Sequence, residues 1–95
     1  MEGKDITEIA VLFKRRQDKV TTAEGIAISV RGLSFGEMAD INTASGGDAT
    51  KQTMAVITRG TVSPRLSYDQ VRELNSDVVK LLVDKILELS VPSAT

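Results

Sequence analysis

The sequence predicts a mainly α fold: a small bundle of four to five helices with a short β-hairpin or lone strand near residues 20–31. Three observations carry that reading. Helix starts are spelled out twice, at Ser34 with Glu37 and at Ser67 with Gln70, where a hydroxyl and a side chain three residues on can cap each other's backbone. Ile26, Ile28 and Val30 alternate with Ala27, Ser29 and Arg31, the period of a strand. The stretch from Val78 to Leu89 carries more apolar surface than a helix with one buried face requires. The 95 residues are read as one domain: a helix over 5–20, a strand over 26–31, a helical region over 34–90 and a short tail over 91–95.

Asp5 to Val20 has helical spacing through Ile6, Ile9, Phe13 and Val20, and Asp5 with Glu8 forms a capping pair at its start. Lys14-Arg15-Arg16 falls in its second half, a solvated face whose cations suit the negative end of the helix dipole. The Ile26–Val30 strand has one local partner, Val20-Thr21-Thr22, reached across Ala23-Glu24-Gly25. A two-stranded hairpin is marginal unless a helix covers it.

Leu33 can staple to Met38 over the Ser34 cap, and Leu66 to Val71 over the Ser67 cap; each cap contributes about 1 kcal/mol. The first of these helices runs to about Asn42, and Thr43–Gly47 reads as a flexible hinge loop. Asp48 caps the next, which ends at Arg59-Gly60 with Gly60 suited to a positive-φ position. Ser63-Pro64 blocks continuation. A short helix over Ser67–Leu74 follows, and Asn75-Ser76 caps the last, Asp77 to about Ser90.

At about 100° per residue, Val78, Leu82, Ile86 and Leu89 form a core stripe on this last helix, flanked by Leu81. Val79, Val83 and Leu87 widen the apolar arc to roughly 240°, where about 100° suffices. Lys80, Asp84 and Glu88 hold the polar side, and Lys85 interrupts the apolar one. Either the helix is central and wrapped by the others, or Val79, Val83 and Leu87 stay partly open for a partner.

Chemistry is sparse. Cysteine and histidine are both absent, which excludes disulfides, thiolate nucleophiles, Ser-His triads and nearly every zinc or haem site. No phosphate-binding, nucleophile-elbow or calcium-loop motif is present. The Ser45-Gly46-Gly47-Asp48 loop meets a helix start, but Asp48 supplies its own negative charge there. The carboxylate pairs Glu37 with Asp40 and Asp84 with Glu88 lack a third convergent ligand. The expectation is a non-enzymatic protein with no catalytic residue, cofactor or metal. Met1-Glu2-Gly3-Lys4-Asp5 lacks the pattern of a signal peptide, and no apolar run reaches the ~20 residues of a bilayer span. Net charge is −1, against an electrostatic nucleic-acid binder, so the expected partners are proteins, with no nucleic acid and no membrane. The Ser34–Gly60 helix–loop–helix is similar to a helix-turn-helix DNA reader, but the loop reads as loose and the second helix offers only Lys51 and Arg59 as cations.

Val30-Arg31-Gly32-Leu33-Ser34-Phe35-Gly36-Glu37 resembles the strand, Arg-x-Leu and helix start of phage tail assembly chaperones. Arg59-Gly60-Thr61-Val62-Ser63-Pro64-Arg65-Leu66-Ser67 resembles their Gly-Val-x-x-Pro-x-Leu connector, and Val78 to Ser90 is similar to their closing helix ending in Ile-x-x-Leu-Ser. The likeness covers roughly residues 26–90 and lies in pattern and order. It implies a chaperone that coats the tape measure protein of a long-tailed phage or prophage in the host cytoplasm. It further implies recruitment of tail tube subunits, self-association, and in many such genes a frameshifted longer form. Arg59, Val62 and Arg65 in the connector, with Val79, Val83 and Leu87 on the last helix, are then the candidate protein-binding residues. A structural tail or neck connector, and more remotely the DNA-binding regulator, are the alternatives.

Overall fold

The computed structural model describes residues 11–90, and its architecture is α+β. After a 3₁₀ turn at Val11–Phe13 come strands β1 (Gln17–Thr21) and β2 (Ala27–Arg31), then helices α1 (Phe35–Ser45) and α2 (Ala49–Gly60). Strand β3 (Thr61–Ser63), a short helix α3 (Tyr68–Arg72) and the long helix α4 (Ser76–Ser90) complete the chain. The strands form one antiparallel sheet in the order β1-β2-β3. This corrects the expected helical bundle, in which a lone strand or hairpin was the only β structure.

Two segments account for the correction. Residues 17–20, read as the end of an N-terminal helix, are strand instead: β1 pairs with β2 from Gln17↔Arg31 to Thr21↔Ala27. Only Val20 of β1 is buried, so its sequence holds little alternation to announce a strand. The hairpin turn at Ala23-Glu24-Gly25 forms where expected. Thr22 N–H donates to the Ile26 carbonyl (2.9 Å), Gly25 N–H to the Thr22 carbonyl (2.9 Å), and Gly25 adopts φ 87°. The second segment is Thr61–Ser63, read as connector, which pairs with β2 through Val30↔Thr61 and Ser29↔Ser63 with a bulge between them. Those partners lie far back in the chain, so no local periodicity marks this strand. The expected capping pair Asp5–Glu8 lies outside the described residues.

The helix starts stand as read. Ser34 and Glu37 form a capping box, as do Ser67 and Gln70, and the Asp48 side chain accepts from the Thr50 and Lys51 N–H groups. The Asn75 carbonyl accepts from Val78 and Val79 (3.0 and 3.1 Å) at the start of α4. Thr43–Ser45 is helical rather than loop: α1 continues to Ser45, whose hydroxyl donates back to the Ile41 carbonyl (2.6 Å). Gly46 then caps it in the left-handed region at φ 56°. Gly60 plays a different part from the one expected. Its φ is not positive, and an added Cβ would stand 2.7 Å from Ile86 Cγ1, so glycine is there to let α2 meet α4.

Helix α4 lies between α2 and the β1–β2 face of the sheet. That explains its wide apolar arc: it has two layers to pack against rather than one. Leu82 and Ile86 are fully buried, with Val78, Val30, Ile57, Ile28, Val20 and Val71 around them. Lys85, which interrupts the arc, sits over the sheet and reaches Asp18 of β1 at 3.1 Å. The core is aliphatic throughout.

Candidate protein-binding surfaces

The sequence-derived residues fall in two places. Val79, Val83 and Leu87 lie on α4, each half-buried and packed against the core, so the strip is narrower than its composition suggests. Arg59, in the last turn of α2, and Arg65, beyond β3, line one shallow cleft with Arg31, Thr61 and Leu66. Both arginines are exposed. Val62 sits between them in sequence on β3, 39% exposed. The buried Thr61 hydroxyl holds this corner by donating to the Ile57 carbonyl at 3.0 Å. The two sets do not share a pocket.

A third surface escaped the sequence reading. The three most exposed large apolar side chains among the described residues are Phe35 (91%), Leu12 (77%) and Phe13 (68%), and all three line one groove. Its helical spacing in the sequence places Phe13 on the apolar face of an N-terminal helix. Instead it closes the 3₁₀ turn, ahead of an irregular segment that leads into β1. Phe35 is the first residue of α1, where Leu33 is buried, Met38 packs against the core, and Ser34 and Glu37 form the cap. Nothing local employs its ring. That redundancy was the available signal.

The groove runs between the segment Leu12–Gln17 on one side and Ser34–Gly36 on the other, with Gly32, Leu33, Leu89 and Ser90 beneath. Its floor is closely built. Leu33 N–H donates to Ser90 Oγ (2.7 Å), whose hydroxyl donates to the Ile86 carbonyl (2.6 Å). A Cβ on Gly32 would stand 2.6 Å from the Leu89 carbonyl oxygen, so only glycine lets the chain pass the end of α4. The opposite lip is tied by Gly32 N–H to the Arg16 carbonyl (2.8 Å) and by the Arg15 guanidinium, which donates to the Phe13 carbonyl and lies 3.7 Å from Glu37.

Glu37 organises that corner. Arg31 grips both of its oxygens, at 3.0 and 2.7 Å, while Ser34 N–H donates to the first at 2.9 Å. The Arg31 hydrogen bonds, aided by the Ser34 N–H and the charge of Arg15, hold its carboxyl at about 2, below its ordinary 4.5. Arg31 is raised in turn by the same carboxylate. Among the described residues the charged groups within reach of Glu37 are Arg31 and Arg15, which keep it ionised in an ion-pair network.

Among the described residues no group of His, Cys, Asp and Glu could hold a metal, and no helix is long and apolar enough to cross a membrane. No family model, curated protein or solved structure matches the chain.

Proposed function

We propose that this chain is a non-enzymatic phage tail assembly chaperone that binds the tape measure protein and recruits tail tube subunits while the tail is built. The family name comes from the resemblance of residues 26–90, above all the Arg59–Ser67 connector. The binding role is supported by one observation: both phenylalanines lie outside an otherwise aliphatic core, at 68% and 91% exposure. Aromatic side chains supply large contact area at low entropic cost and are enriched where proteins meet. A chaperone needs such surface and needs no reaction chemistry. The Val79/Val83/Leu87 strip and the Arg59–Val62–Arg65 corner serve as secondary contacts in this reading.

Co-expression with the long tape measure protein of the same genome tests it. The chaperone role requires that the chain keep the tape measure protein soluble and co-purify with it, yet be missing from finished particles by mass spectrometry. Stoichiometric protein in purified particles would make it a structural connector instead.

One observation favours a second reading. The α1–α2 turn is only Gly46-Gly47-Asp48, short enough for a helix-turn-helix and tighter than the sequence suggested. The cation count on α2 still stands against it, with Lys51 and Arg59 the only charges offered to phosphate. Tight, salt-sensitive retardation of duplex DNA would promote the DNA-binding reading over the chaperone.

A further inference from the structure

Beyond the general binding role, the groove has a definite chemical character. Its walls are apolar, through Leu12, Phe13 and Phe35, and its outer lip carries three consecutive cations, Lys14, Arg15 and Arg16. Among the described residues the acid beside the groove, Glu37, is already held by Arg31 through two hydrogen bonds and approached by Arg15. Lys14 and Arg16 are exposed, and neither is paired with a described carboxylate. Among the described residues the groove therefore joins positive charge that no described carboxylate pairs to open aromatic surface.

We infer that this groove docks an acidic amphipathic segment of a partner protein, its apolar face set between Phe13 and Phe35 and its carboxylates against Lys14 and Arg16. Two features select that occupant. Desolvating two phenylalanines suits an apolar peptide face; bases also stack on aromatics beside cations, but a chain of net charge −1 gives a phosphate backbone little overall attraction. The lip's charge favours acids in the segment's flanks and disfavours a basic helix of equal hydrophobicity. An anionic bilayer shares the charge preference. It is the weaker fit, because the two aromatics come from separate segments, the 3₁₀ turn and the start of α1, rather than from one amphipathic helix face of the kind that lies in a membrane interface. The inference does not depend on the partner being a tape measure protein, so it survives if the phage reading fails.

The test is fluorescence anisotropy with two synthetic helical peptides, each with leucine on one face and either glutamate or lysine on the other. The acidic peptide should bind at least about tenfold tighter than the basic one. Phe35→Ser should weaken it by about tenfold or more, and Lys14→Glu with Arg16→Glu should remove the preference for acid. Phe35 is exposed, so circular dichroism should show these variants folded like the parent. Equal binding of both peptides, no binding of either, or binding indifferent to Phe35→Ser would overturn the proposal. So would sedimentation with phosphatidylglycerol vesicles, or concentration-dependent dimerisation, that is lost in Phe35→Ser while the acidic peptide does not bind.

Discussion

Helix α4 and the groove at residues 12–36 use apolar residues to opposite ends. In α4 the surplus of leucine, isoleucine and valine is absorbed by the fold, because α2 covers one side and the sheet another. In the groove a few large side chains stand open although nothing in their local sequence is extreme. The difference teaches that the amount of apolar surface on an element says little about how much stays uncovered. That depends on the number of layers packed against it, and here the β1–β2 hairpin supplies the extra layer. Surface available to a partner is better marked by a large residue with no task in its own element, as with Phe35 beside a complete capping box.

The comparison breaks first if α4 is not core. Leu82→Ala, at a fully buried position, should cost about 2–5 kcal/mol in urea unfolding. A loss near zero would mean α4 is peripheral. Gly32→Ala should cost about 1–3 kcal/mol, because its Cβ meets the backbone of Leu89 rather than a yielding side-chain tip. Chemical-shift changes should spread from Gly32 to the end of α4. Val83→Asp, half-buried, should destabilise by about 1–2 kcal/mol through desolvation of the new carboxylate. If it left the midpoint unchanged, the α4 strip would be open and the contrast with the groove would blur.

Glu37→Gln should lower stability by roughly 1 kcal/mol at neutral pH, since it removes the charge that Arg31 grips. The pH dependence has a fixed sign. The folded carboxyl, at about 2, lies below its ordinary 4.5, so its contribution is full above pH 4.5 and disappears as pH falls toward 2. Asp18 adds in the same sense, its carboxyl lowered by the Lys19 N–H and by Lys85. Urea midpoints measured across this window should fall with acid in the parent and fall less in Glu37→Gln.

Much of the helical fold was legible because helix starts are local chemistry. Ser34–Glu37, Ser67–Gln70 and Asp48 state their roles within a few residues, and the caps form as written. The hairpin turn was legible for the same reason. Strand β3 and the extended course of residues 17–20 were not, because both are decided by pairing with β2. The helical spacing that joined Phe13 to Val20 was coincidental: Val20 is buried beneath α4 as a strand residue and Phe13 is exposed. Gly60 shows the same limit. Its glycine was legible, but the reason for it, the approach of Ile86, lies in another helix. The groove was hidden because it is assembled from both ends of the described chain and the β2–α1 junction.

The central claim, that the groove and not α4 is the open apolar surface, is tested most directly by Phe35→Ser read twice on the same sample. The measurement is a urea unfolding midpoint paired with the affinity for the acidic helical peptide. At 91% exposure Phe35 should contribute nothing to folding, so the stability read from the midpoint should change by no more than about 0.5 kcal/mol while binding weakens about tenfold. A variant that unfolds more easily yet binds as the parent does would place Phe35 in the fold and contradict the account.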